Sequence, residues 1–487
     1  MEVQQPRNIV IVGGGIIGCT TAYFLTRHPK FDPALHKITL LEATAIASGA
    51  SGKAGGLLGL WAYPAEIVPL SYRLHKELAA EHGGAERWGY RRLGCGSLSA
   101  VVKPSDIAAL KASSVRTATP VKAPQVPSPG PPRTNGTGLV NGNGSANGSS
   151  TNGAAAATNG TMNGATAAPL PIQSKVEQGE EKKQWEKLPK QDVAASSLLH
   201  ESPLPPDLDY IRSDLVEHYE EMGRRGATET AQVHPFMFTT AMAALAQDKG
   251  VDIRLGAKVT KINQDGDRVT GVEYLERRTN SSRRIDGVTD VVVAAGPWTG
   301  VVLPRTKVEG LRAHSVVWNA HVSPYAVFTD IELPDDYVPE HRRKLGQGRK
   351  HTGNVDPEIY ARPGGEVYAC GEPDSTVPLP PTADMVQCDE AQCDDLVAYV
   401  ATVSPALAAA PVKKKQACYL PRHMRLGDEK APLVGRTSTR GLWVASGHTC
   451  WGVQNGPGTG CLMAEMLLDG EARSANVDKL DPRRYKV

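Results

Sequence analysis

No stretch of this 487-residue chain approaches the roughly 20 consecutive apolar residues that a membrane span needs. Charge of one sign is equally lacking. Lys and Arg number 54 against 52 Asp and Glu, interspersed, so no basic stripe marks a surface for nucleic acid or anionic lipid. The eight cysteines (Cys19, Cys95, Cys370, Cys388, Cys393, Cys418, Cys450, Cys461) form no CxxC pair and no zinc-like spacing with histidine; reduced thiols and no metal are the expectation. Aromatics make up only 5% of the chain and almost vanish from about Pro120 to Pro171, where Gly, Asn, Ser, Ala and Pro take over. Such a composition cannot bury enough apolar surface to offset its ordering entropy. With the charged run KVEQGEEKKQWEKLPK, residues 104–205 read as a disordered low-complexity insertion, a flexible spacer.

What is present begins at once. The apolar start NIVIVGGGIIG follows only seven residues and is broken by glycines, which predicts a strand and turn rather than a signal peptide, and hence a cytoplasmic protein. Ile9 to Val12 is the β-branched run of a buried parallel strand, and Cys19 to Thr26 reads as a helix. Between them Gly13 permits a tight turn, Gly15 lets backbone approach a pyrophosphate, and Gly18 lets helix and strand pack closely. The phosphates would rest on amides at the helix start, around Ile16 and Ile17. A second strand, KITLLE, carries Glu42 to its end, where a carboxylate accepts ribose hydroxyls and disfavours a 2′-phosphate. The longer than usual spacing is accounted for by the loop RHPKFDPALH. The expected fold is α/β (α+β): a Rossmann-like dinucleotide domain, discontinuous in sequence, with a second mixed or antiparallel β-sheet domain for substrate.

Ala43 to Gly59 is a run of small residues, ATAIASGASGKAGGLLG, suited to close approach to something large and flat. Its core, ASGASGKAGGLL, resembles the flavin-proximal segment of the D-amino-acid oxidase superfamily of FAD-dependent oxidoreductases, which includes glycine, sarcosine and fructosyl amine oxidases. The resemblance continues in order through AQVHPFMFTTAMAALAQDKGVDIRLGAKVTKI, VVVAAGPW and GLWVASGHTCWGVQNGPGTGCLMAEMLLDG. It implies FAD as cofactor, with binding contacts at Ala43, Ser51, Gly55, Gly56, Leu57, Val259 and Gly296, and at the C-terminal turn with His448, Gly452, Val453 and Gln454. It also implies a division into an FAD-binding domain (1–60, 230–300 and 432–487) and a substrate domain (61–103, 206–229 and 301–431). A C-terminal strand, Leu442 to Ala445, running through a glycine-bounded turn into a helix is consistent with a second cofactor contact. That contact argues against a dehydrogenase using NAD alone.

The activity so implied is oxidation of a C–N bond in an amine or amino-acid-like molecule by hydride transfer to flavin, with oxygen accepting the electrons and forming hydrogen peroxide. Glycine-oxidase-like members place a carboxylate-binding arginine before a proline; here the residues are Tyr419-Leu420-Pro421. Arg422 and Arg425 are the nearby alternatives, as substrate ligands or as surface arginines. Cys418 stands where sarcosine and fructosyl amine oxidases carry a flavin-linked cysteine, and an ordinary buried thiol is the other reading. His448 is either a catalytic neighbour of the flavin or a structural histidine, and Trp61 and Tyr63 are either pocket wall or core. The resemblance extends to fungal FAD oxidoreductases, one of them associated with late endosomes. The alternative is therefore a flavin-fold binding or trafficking protein, peripherally attached there, with little or no turnover.

Overall fold

In the computed structural model, residues 5–109, 200–201, 204–223 and 229–487 are described. Most of the interval read as a disordered insertion lies outside them. At its edges, residues 104–109 are helical, and Ile107 and Leu204 pack on the core of the larger sheet.

The first run behaves as its period-two pattern requires. Ile9 and Ile11 face a layer of helices, while Val10 and Val12 face a three-stranded antiparallel sheet on the other side. Buried on both faces, Arg7–Val12 is the centre of a six-stranded sheet. Its order is Leu433–Arg436, Leu442–Ser446, Asp290–Val293, Arg7–Val12, His36–Glu42 and Asp252–Leu255. All pairs are parallel except the first. Strands from both ends and the middle of the chain therefore share one sheet. Asp290, buried between them, accepts from Arg7 and from the Trp443 indole at 3.0 Å.

Helices Ile16–Leu25 and Gly452–Leu468 pack against each other although more than 400 residues separate them. Gly456 lies against Ile16, and the Thr20 hydroxyl donates to the Gly456 carbonyl at 2.8 Å. Pro457 sits inside the second helix and has no N–H to give the Val453 carbonyl one turn back. Buried His75, from helix Val68–His82, supplies the missing donor: its Nε2 lies 3.0 Å from that carbonyl.

The second sheet has nine strands. Its order is Asp428–Lys430, Val412–Arg425, Val308–Asn319, Glu366–Cys370, Glu358–Arg362, Tyr325–Glu332, Gly94–Val101, Val216–Glu221 and His200–Glu201. Only Tyr325–Glu332 and Gly94–Val101 run parallel. The turn Pro363-Gly364-Gly365 closes a hairpin, as its sequence predicts, with Gly364 and Gly365 at positive φ. Helix Glu390–Val403, capped by the Asp389 carboxylate, covers one face through Leu396, Val400 and Val403. Among the described residues no helix is long and apolar enough to cross a membrane.

Replacing His75 with Leu is expected to leave the Val453 carbonyl buried without a donor and to lower unfolding free energy by about 1–3 kcal/mol. Urea denaturation of the purified protein measures it.

Candidate functional site

The two sheets enclose one large cavity of about 810 Å³, in the range of small-molecule and cofactor sites. Its floor begins at the turn after the first strand. Gly13 has φ +112°, and a Cβ on Gly18 would lie 2.0 Å from the Gly13 carbonyl oxygen, so helix and turn meet at a distance only glycine allows. The Ile16 amide donates to the Ser51 hydroxyl at 2.9 Å, which ties the small-residue segment to the helix N-terminus. Glu42 reaches the same wall. Its carboxylate accepts from the Gly14 amide (2.7 Å) and from the Thr44 amide and hydroxyl (2.7 and 2.9 Å). Three of roughly four acceptor sites are used, which leaves capacity for a hydroxyl donor.

Gly13, Gly15, Ile16, Ile17, Glu42, Ala43, Ser51, Gly55, Gly56 and Leu57 all line the cavity, as do Val259 and Gly296 further along the chain. From the C-terminal segment, His448, Gly452 and Val453 join them. Gly18 lies behind the wall in the helix–strand contact its spacing predicts. One residue expected at the cofactor stands elsewhere: the Gln454 side chain accepts the Gly59 amide at 3.0 Å, pinning the flavin-proximal strand from behind.

The larger sheet roofs the cavity. Cys418 and Leu420, two apart on one strand, share the inward face, next to Ala313 on the neighbouring strand. Arg422 would follow by alternation, but its backbone bridges to His448 and the C-terminal turn crosses the strand there, so Arg422 is buried outside the wall. Arg425 points elsewhere: it donates to the Arg305 carbonyl at 2.7 Å and covers the Tyr485 ring. Neither arginine replaces the one absent at Leu420. Trp61 and Tyr63 are core residues one layer back, the former edge-on to Trp451 (5.5 Å) and Phe328 (6.0 Å).

Sequence reasoning missed the roof residues Ser97, Phe328, Glu358, Tyr360, Tyr368 and Cys370. The alternation of EIYAR and EVYAC shows that Glu358 shares a face with Tyr360, and Tyr368 with Cys370. It does not show which face meets the cofactor.

Burial sets the protonation of the wall. It lowers His448 to about 3, holding it neutral, and its Nε2 lies 3.0 Å from the Thr459 hydroxyl while Nδ1 has no partner among the described residues. His314 is lowered to about 4 by burial and by the charge of Arg312. Burial pushes the Cys418 thiol up to about 11, against the opposing charge of Lys53, whose ammonium donates to the Ala417 carbonyl at 2.8 Å.

A glycine turn at a helix N-terminus, an acid closing the second strand and a roofed far end define a dinucleotide-dependent oxidoreductase. The chain belongs to the DAO family, described as FAD dependent oxidoreductase, whose family model matches residues 8–133 and 176–466. TDA3 of Saccharomyces cerevisiae, which carries the provisional name of an oxidoreductase, is 37% identical over 99% of this chain and 95% of its own length. A Schizosaccharomyces pombe protein with the same provisional name is 29% identical over 99% of both. Glycine oxidase from Bacillus cereus shares the fold at a TM-score of 0.56 and 18% identity, over 97% of this chain and 98% of that one. L-proline dehydrogenase from P. horikoshii does so at 0.58 and 15%, over 99% of both. FAD is the cofactor, and the cavity fits it: the glycine cradle and Glu42 suit its adenosine diphosphate half, and the unpartnered, buried His448 Nδ1 awaits a polar group under the roof.

His75 and His314 at about 4 and His448 at about 3 all bind protons less readily folded than unfolded. Their contribution to stability is complete above the ordinary histidine value near 6.5 and is lost as pH falls toward 4. Urea midpoints are expected to decline from about pH 7 to 5, above the carboxylate range. A flat profile there would contradict the neutral assignments.

Proposed function

We propose that the protein oxidises the C–N bond of an amine or amino-acid-like small molecule, with oxygen taking up the electrons. The observation that carries this reading is a single cavity running from Glu42 and Val259, at the nucleotide end, to Cys418, Tyr360 and Phe328 beneath the second sheet. FAD, when bound, supplies the acceptor for a hydride from the carbon next to nitrogen. The chain's part is to bind, orient and keep out water. Phe328, Tyr360 and Tyr368 form an aromatic roof with ring centroids 5.8 and 5.9 Å apart in succession. The flavin-proximal loop lies directly against it, since a Cβ on Gly55 would fall 2.1 Å from Tyr360 Cδ2. His448, neutral at physiological pH, offers Nδ1 for a hydrogen bond without adding charge. In sum, amine and oxygen give imine and hydrogen peroxide: the C–H and N–H bonds break, a C=N bond forms, and two protons and two electrons pass to oxygen.

The cofactor is held without a covalent bond to Cys418. A thiol pushed up to about 11 is protonated at neutral pH, and only the thiolate is a good nucleophile.

The purified yellow protein is expected to bleach under nitrogen with at least one member of a panel of primary, secondary and tertiary amines and amino acids, and to release peroxide with it in air. No bleaching across the panel would remove the proposed chemistry; bleaching without peroxide would remove oxygen as acceptor. Denaturation is expected to leave the flavin in the supernatant. Colour retained on the polypeptide, and lost in Cys418→Ser, would instead establish the thioether.

A further inference from the structure

If the cavity does oxidise a C–N bond, its charges also indicate the kind of molecule that carries that bond. Among the described lining residues there is no arginine, and the one lysine, Lys258, stands beside Val259 at the nucleotide end. Of the sheet's three buried arginines, Arg422 lies outside the wall and the other two are engaged elsewhere. Arg312 forks onto Asp374 at 3.0 and 3.1 Å, and Arg362 pairs with Glu366 at 3.5 Å. Among the described lining residues no cationic side chain stands under the roof to receive a substrate carboxylate.

The opposite charge is concentrated there. In the antiparallel pairing of the Tyr325–Glu332 and Glu358–Arg362 strands, Phe328 faces Glu358, and Glu358 in turn faces Cys370 across the hairpin. The bridge between Ile331 and Val355 carries the same register outward and sets Asp330 opposite Asp356. Glu372 follows Cys370 by two residues, with His351 Nδ1 2.6 Å from its carboxylate. All four carboxylates line the cavity, with exposed Asp330 toward solvent and Glu358 among the rings. Glu358 also accepts from the Tyr360 hydroxyl. Burial first, and then the Glu358 charge, pushes the Cys450 thiol up to about 12.

Two further atoms point to a ligand independently of these charges. His448 Nδ1 and Trp451 Nε1, on residues 3% and 7% exposed that line the same cavity, have no partner among the described residues. The aromatic faces of Phe328, Tyr360 and Trp451 favour a positive charge or its neutral amine over an anion.

We infer that the substrate is a cationic amine without a carboxylate near the reacting carbon: a diamine, or an amine with a second positive group, whose distal charge is held by the row led by Asp330 and Asp356. Hydride departure needs a nitrogen lone pair, so the reacting nitrogen enters neutral between the rings, its proton left to Glu358. The recognised charge therefore sits on the other nitrogen. The acidic mouth also draws such molecules in from solution.

The test uses the FAD-loaded, full-length protein and follows flavin absorbance changes and thermal shifts during titration with diaminobutane, butylamine, γ-aminobutanoate and butanoate. Diaminobutane is expected to bind at least about tenfold more tightly than butylamine, and butanoate not to saturate. Glu358→Gln and Asp330→Asn are each expected to weaken diamine binding by about tenfold, with retention of the yellow spectrum reporting the fold. Asp330, exposed, serves if Glu358→Gln loses its cofactor. Butanoate or γ-aminobutanoate binding as tightly as the diamine, or diamine affinity unchanged in both variants, would overturn the inference. Tight, charge-selective diamine binding without oxidation would leave it standing and remove the catalytic proposal instead. Oxidation of an amino acid with no preference for the diamine would do the reverse.

Discussion

The contact between Gly18 and the carbonyl of Gly13 is the constraint from which the rest follows. With 2.0 Å between a would-be Cβ and that oxygen, any side chain at Gly18 lifts the first helix off the turn. The helix N-terminus would then leave the end of the central strand. Seated as it is, the helix presents its first amides to the cavity, and Ser51 holds the small-residue loop against it. The cofactor end of the site is thus built from backbone, and the side chains near it are chosen mainly for staying out of the way.

The same helix makes the C-terminal segment indispensable. Helix Gly452–Leu468 lies on it through Gly456 and Gly460, small enough for close approach to Ile16 and Thr20. That packing places Pro457 inside a helix, and His75 repairs the hydrogen bond that proline breaks. Complete burial keeps His75 neutral. His448, at the start of the same segment, is neutral for the same reason but has an open nitrogen on the cavity wall. Two histidines with similar environments therefore differ in role: one satisfies the fold, and the other faces the ligand.

The second sheet supplies chemistry of a different kind. Its inward face carries rings and carboxylates, while Arg312 and Arg362 are spent on Asp374 and Glu366 and Arg422 is buried outside the wall. Leu420, where the family resemblance expects an arginine, is part of that pattern: beside Leu311 and Ala313 it forms a small apolar patch. The roof thus joins an apolar, ring-lined centre to an acidic margin.

Local pattern made the nucleotide half legible. The NIVIV run, the glycines that follow and Glu42 at the end of KITLLE lie within a span where residue spacing dictates geometry, and the structure places Gly13, Gly15 and Glu42 on the wall as that spacing requires. The turn residues Pro363-Gly364-Gly365 between two β-rich runs make the hairpin there legible in the same local way. Arg422 and Gln454 could not be read in this way. Arg422 is on the correct face of its strand, but a turn contributed by His448 covers that end, and Gln454 faces Gly59, almost 400 residues earlier. Which face of Glu358–Arg362 meets the cofactor also depends on neighbours drawn from distant parts of the chain. Backbone geometry near the glycines is a local matter, settled by sterics within a few residues. The composition of the substrate wall is a matter of which strands pair, and it exists only once burial has brought the two sheets together.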